Sequence, residues 1–328
     1  MKPQINTDNL IDELGTMNDE LRNHRDSSFI VPNSSFKKSV FICVYLWLIF
    51  LSFFLNSPLL AASGQSRVTV LVPEKNTQSQ TFAEKLEISL SNNFKVLDSS
   101  LSETAFRSAK YEKPFNLSRE ESKNIGAAIG CDYFLLVKAD TLRRYSFSKK
   151  EFYESYAVVY AVSSRSGRLV FWKLTNGEAE TAEKAERKLF DSMKDLAAEI
   201  SDKLRTTSKE EPNEKPNAKL EELPAENSPE AKNFRPPLPY KRIRPEYTRI
   251  ANLYGIEATV DAEINVDENG KILKIEIVRW AGFGLDESVT ETIYKMQWRA
   301  ASRNGKTLPL RVLLRYNFKK IEQVMENG

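Results

Sequence analysis

From Ser39 to Ser66 the chain carries no charged residue, and within that run "VFICVYLWLIFLSFFL" (40–55) holds twelve Val, Ile, Leu or Phe side chains in sixteen positions. Near a bilayer centre each such side chain favours insertion by roughly 0.3–0.6 kcal/mol, about 4–7 kcal/mol for the run. Extended to Ala62, a helix here is long enough to cross a hydrocarbon core of about 30 Å. Lys37 and Lys38 flank its N-terminal side. Positive-inside asymmetry then predicts a cytoplasmic tail at 1–38, a transmembrane signal anchor at 39–62, and the chain beyond 66 on the far side of the membrane. A second reading is a cleaved signal peptide, because "LLAASG" (59–64) offers small residues after the apolar run. Against it stands an n-region of 38 residues with six acidic side chains.

Composition narrows the chemistry. Charged residues are 28% and the formal net charge is +3. A nucleic-acid surface needs a strong basic excess on one face, so no nucleic-acid partner is expected. The one histidine, His24, lies in the polar N-terminal stretch, which argues against histidine acid–base catalysis and histidine-ligated zinc. Cys43 lies in the apolar run and Cys131 at the start of a predicted strand, so no disulfide is expected and Cys131 reads as a small buried apolar side chain. The sequence offers no nucleophile–base pair and no metal cluster. The expectation is a protein that is not an enzyme and has no cofactor. "RRY" (143–145) and "KRIR" (241–244) read as solvated or lipid-facing charge.

Residues 1–38 are polar and without periodicity, which predicts a disordered or weakly helical segment. Residues 67–205 read as a first globular domain, of α/β type, on the far side of the membrane. "RVTVLVPE" (67–74) and "CDYFLLVKA" (131–139) are apolar runs suited to buried strands. Residues 80–100 read as helix, Asn stop and strand. "SREESKNIGAAIG" (118–130) carries a capping box from Ser118 to Glu121 and ends on Gly130. Residues 152–174 form a hairpin turning at Ser-Gly, and 181–205 one long amphipathic helix with Leu189, Met193, Ala197 and Ile200 on its apolar face.

Composition then changes sharply. Residues 206–239 are rich in Pro, Glu, Lys and Asn, which predicts a disordered linker or spacer. In polyproline II it would reach on the order of 100 Å. A plain interdomain connection is the simpler alternative. Residues 240–328 follow as a small domain. "EATVDAEINV" (257–266) alternates apolar and polar, "DENG" (267–270) is a hairpin turn, and "KILKIEIV" (271–278) alternates again. Leu285, Val289, Ile293 and Met296 form a helical stripe, with Asp286 and Glu287 in its first turn. "LPLRVLLRYNF" (308–318) is a last strand. With the short helix in "PEYTRIANLYG" (245–255), the order is α-β-β-α-β, and the fold class overall is α+β.

Run 246–318 resembles the TonB C-terminal domain. The likeness rests on Tyr247, Ala251, Gly255-Ile256, Thr259-Val260, Asp267 with Gly270, Gly282 and Gly284, Leu285-Asp286, Trp298, and Gly305-Lys306. It departs from the family at Thr248 and Ala258, and in "MQWRAA" (296–301), which holds Met296, Trp298 and Ala300 where the family has tryptophan, phenylalanine and proline. The resemblance implies an inner-membrane, single-pass protein with its bulk in the periplasm, an energy transducer for transmembrane transport. It implies binding of an outer-membrane, TonB-dependent receptor-like protein by β-augmentation, and an ExbB/ExbD-like inner-membrane complex as motor. Two features depart from that layout: the anchor has no histidine, and a large domain stands between anchor and spacer. Residues 67–205 more loosely resemble TolB N-terminal and CsgG-like periplasmic domains. The competing function is a periplasmic scaffold or adaptor without energy transduction, secreted by a cleaved signal peptide.

The last strand is expected at a sheet edge, where its backbone is open to a partner strand. Its outward residues Arg311, Leu313, Arg315 and Asn317 would line the bound segment. Two arginines suit an acidic or carboxylate-bearing partner; alternatively they only solubilise the edge.

Overall fold

A computed structural model describes residues 65–146, 151–213, 220, 223–224 and 227–320. The expected tail at 1–38 and anchor at 39–62 lie outside these. Among the described residues no helix is long and apolar enough to cross a membrane.

The first half is built on a five-stranded sheet in the order β2-β1-β3-β4-β5. Its strands are β1 (Arg67–Leu71), β2 (Lys95–Val96), β3 (Tyr133–Arg144), β4 (Phe152–Ser163) and β5 (Leu169–Ala179). β1 runs parallel to β2 and β3; β3, β4 and β5 are antiparallel neighbours. Alternation splits the apolar side chains between two faces. Leu135, Val137, Val159 and Ala161 pack with Phe82, Leu86, Leu189 and Ile200 of helices α1 (Thr77–Leu90), α4 (Ala182–Asp191) and α5 (Met193–Glu210). Phe134, Leu136, Tyr160 and Val162 take the other face, with Phe106 of α2 (Ser99–Ser108) and Ile125 of α3 (Arg119–Ile129). Both faces are buried, which accounts for the unbroken "YFLLV".

Local signals place the helix ends. The capping box at Ser118 and Glu121 is present, and Gly130 closes α3 at φ 76°. Two expectations need correcting. The helix over 181–205 is two helices parted at Ser192, whose hydroxyl donates to the Leu189 carbonyl at 2.7 Å and so competes with the helical pattern. Helix α2 was not anticipated; Asp98 starts it by accepting from the Leu101 amide at 2.9 Å.

The second half contains helix α6 (Arg249–Leu253), β8 (Ala258–Val266), β9 (Ile272–Arg279), helix α7 (Leu285–Tyr294) and β13 (Leu310–Phe318). The α-β-β-α-β order is present with three short strands added before the last: β10 (Trp298–Arg299), β11 (Ala301–Arg303) and β12 (Lys306–Leu308). β8 is central, in the order β13-β8-β9. The turn at 267–270 requires Gly270. Its φ is 82°, and a Cβ there would lie 2.2 Å from the Trp298 carbonyl oxygen.

The linker expected over 206–239 is partly ordered. Helix α5 runs on to Glu210, while β6 (Phe234–Arg235) pairs with β11 and β7 (Leu238–Pro239) with β10. These pairings are main-chain bonds, which apolar composition does not report. Nor does a spacer hold the two halves apart. Val260, Ile264, Trp280, Phe283, Val289 and Ile293 share one apolar cluster with Phe134, Leu136 and Tyr160.

Polar contacts register that seam. The Asn116 amide donates to the Thr259 and Trp280 carbonyls at 2.8 and 2.6 Å and accepts from the Thr259 amide at 2.9 Å, filling the place of a strand neighbour. Buried Glu154 accepts from Arg144 at 2.8 Å, Asn176 at 2.6 Å and the Tyr254 hydroxyl at 2.6 Å. Phe283, at φ 53°, stacks on Trp172 and lies tilted against Tyr160 and Tyr254.

Ile264 is fully buried at the centre of β8. Ile264→Ala should cost about 2–5 kcal/mol, read by denaturant unfolding; an unchanged midpoint would contradict the register. Stability should also depend on pH. Burial and the nearby Glu84, Glu103 and Asp98 push Glu87 up to about 7, and burial does the same to Asp286. At these two sites the native state then holds more protons than the unfolded one between about pH 4 and 7, so their contribution to stability falls as pH rises through that window. Glu87→Gln should flatten the slope, and an identical slope in the variant would show that Glu87 does not carry it.

Candidate functional site

β13 pairs with β8 along its whole length, from Leu310↔Val266 to Phe318↔Ala258. Among the described residues no strand occupies its other side. Nine residues of unpaired edge are therefore open to a partner strand. Leu310, Val312, Leu314 and Phe318 point into the core, as the alternation predicts. Arg311 is half-buried, and Leu313, Arg315 and Asn317 are exposed on the opposite face.

Three of these four side chains are engaged within the sheet. Arg315 lies opposite Asp261 and grips its carboxylate with two bonds, Nε to Oδ1 at 2.7 Å and Nη2 to Oδ2 at 2.9 Å. Arg311 donates to Asn265 at 3.0 Å and pairs with Glu263 at 3.6 Å. The Thr259 hydroxyl donates to Asn317 at 2.8 Å. The arginines thus answer carboxylates of their own neighbour strand, which leaves less of their charge for an acidic partner. Leu313, opposite Glu263, stands clear at 49% exposed.

The network extends across the sheet. Asp261, itself buried, also faces the Arg279 Nε at 3.5 Å. Arg279 donates to the Asn116 carbonyl at 2.7 Å and pairs with Glu121 at 3.1 Å. Burial pulls Glu121 upward, but the Ser118 amide and hydroxyl and Arg279 hold it below the usual carboxylate range. The helix cap that the sequence revealed is therefore also a seam contact. Asn116, Asp261 and Tyr254 were not singled out by sequence reasoning. Asp261 occupies an outward position in the alternation, and only strand register places Arg315 across from it.

Asp286 was expected to act through the helix dipole. It also ties the loop ahead of α7 by accepting from the Ala281 and Gly282 amides, each at 2.9 Å. Among the described residues no group of three or more His, Cys, Asp or Glu side chains is placed to hold a metal ion.

Residues 243–319 match the family described as the C-terminal of the Gram-negative bacterial TonB protein. This segment is a TonB C-terminal domain. The match leaves residues 67–213, on which the TonB-like domain is packed, outside the family. No curated protein matches the chain. Among solved structures, the chain is similar to the TonB C-terminal domain of Pseudomonas aeruginosa, at 21% identity over 32% of this chain and 98% of that one, with a TM-score of 0.24. It is also similar to the hypothetical protein CT253 of Chlamydia trachomatis, at 10% identity over 43% and 99%, TM-score 0.31. A third is lipoprotein GNA1162 of Neisseria meningitidis, at 12% identity over 45% and 99%, TM-score 0.27.

Arg315→Ala should lower stability by about 1–3 kcal/mol, because Asp261 stays buried with only the longer Arg279 contact. The cost is less than for a fully buried pair, since Arg315 is itself more than half exposed. Arg311→Ala should stay within about 0.5 kcal/mol. Thermal unfolding of the two variants side by side checks the ranking, and equal losses would contradict it.

Proposed function

We propose that this chain is a cell-envelope protein whose TonB C-terminal domain takes an extended segment of an outer-membrane, TonB-dependent receptor-like protein along β13. The open β13 edge carries this reading, together with the family match over 243–319. A strand added there would bond through main chain, which tolerates many sequences, while Leu313 offers an exposed apolar contact. Arg311, Arg315 and Asn317 then act as positioning residues, keeping the β13 backbone straight against β8. The charge-free run at 39–62 supports an inner-membrane anchor with residues 67–328 in the periplasm.

Two modes remain within this reading: an energy transducer driven by an ExbB/ExbD-like complex, and a scaffold or adaptor without force. One observation favours the scaffold. The apolar cluster spans both halves, so the TonB-like domain is docked on its own chain and not carried free at the end of a rod.

A photo-crosslinking side chain placed at Leu313 of the full-length chain in cells tests the edge. Position 313 should capture an outer-membrane protein, and the same group at exposed Ile88 of α1 should not. Equal capture from both positions, or from neither, would reject the β13 edge. Dissipating the proton gradient should abolish the capture for a transducer and leave it unchanged for a scaffold.

A further inference from the structure

The five-stranded sheet ends on β5, and the three-stranded sheet ends on β9 at the side opposite β13. Residues 168–172 and 274–277 of these two edges line a shared cleft of about 440 Å³. Among the described residues neither edge pairs with a further strand over those positions. Each therefore turns some backbone N–H and C=O groups outward, where one extended chain could meet both. Val170, Ile275 and Ile277 give the walls apolar surface.

Charge and an unmet donor define what the cleft suits. Trp280 lines it, is 1% exposed, and its indole N–H meets no acceptor among the described residues. A peptide carbonyl is such an acceptor, and a buried donor left without one is destabilising. Asp286, Glu287 and Trp172 also line the cleft. The other carboxylate of the lining, Glu276, is already paired with Arg119 and Lys274, and Arg168 faces Glu211. Glu287 is exposed and has no ion pair among the described residues. Asp286 is pushed up to about 7 by burial, with Glu287 adding repulsion. A cation there would relieve both carboxylates and lie against aromatic rings.

We propose that the cleft between β5 and β9 binds an extended peptide segment carrying a basic side chain, its main chain lying between the two sheet edges and its cation meeting Asp286 and Glu287 beside Trp172 and Trp280. This site is separate from the β13 edge and does not depend on it.

The test uses the full-length chain in detergent with two capped pentapeptides, VTRVT and its acidic twin VTEVT, and with free arginine. Affinity is read by calorimetry. Location is read from the indole N–H resonances, assigned with Trp172→Phe and Trp280→Phe. VTRVT should shift the Trp280 resonance and bind at least tenfold more tightly than VTEVT or arginine. Glu287→Lys, an exposed change, should weaken VTRVT at least fivefold while the variant keeps the far-UV circular dichroism of the folded chain. Leu313→Glu on β13 should leave VTRVT binding unchanged. Equal affinity for the two peptides, an unmoved Trp280 resonance, or arginine binding as tightly as VTRVT would overturn the proposal. So would binding that Leu313→Glu removes and Glu287→Lys retains, which would place the peptide on β13.

Discussion

Strands β3 and β4 pair over twelve positions, from Tyr133↔Ser163 to Arg144↔Phe152, and most of that ribbon is apolar on both faces. Helices α1, α4 and α5 cover one face. On the other, helices α2 and α3 are ten and eleven residues long and share the work with the C-terminal half. Phe134, Leu136, Tyr160 and Val162 would otherwise meet water, at about 1.5–3 kcal/mol for each large apolar side chain. The requirement to cover a two-sided sheet is what draws the TonB-like domain onto its own chain. Much else in the arrangement follows from that docking.

Apolar burial is non-directional, so it does not choose how the two halves meet. The polar seam does. Asn116 serves Thr259 as a strand neighbour would, and Glu154 collects Arg144, Asn176 and Tyr254. A shifted docking would leave these buried groups without partners, at about 1–3 kcal/mol apiece. Phe283 adds a steric condition. The loop can seat it only because Gly282 takes φ 71° and lies so near Tyr160 that a Cβ would be 2.9 Å from its ring. This orientation leaves β13 facing outward and brings β9 to the same cleft as β5.

The β13 face illustrates how register changes the meaning of a residue. Two arginines on an edge strand read as a surface for acidic partners. Asp261 and Glu263 on β8 take those charges instead, and Asp261 needs Arg315 because it is buried. Under the proposed function, recognition at this edge would rest on the backbone and on Leu313, as in a strand-adding surface that reads shape more than sequence.

Local rules sufficed for much of the chain. Alternation in "EATVDAEINV" and "LPLRVLLRYNF" assigned the inward faces, the Ser118–Glu121 spacing located a cap, and Gly270 located a hairpin turn. Each of these depends on residues within a few positions of one another, so the sequence by itself determines them. The family pattern of the C-terminal segment was legible in the same way. Contacts between residues far apart in the chain were not. The pairing of Asp261 with Arg315 spans 54 positions and that of Asn116 with Thr259 spans 143. The strands at 234–239 form because β10 and β11 offer main-chain partners, a property no composition records. Pro, Glu and Lys content describes this stretch alone; it does not report that the regions on either side bury their surface against each other, because that depends on which faces are left uncovered once both have folded.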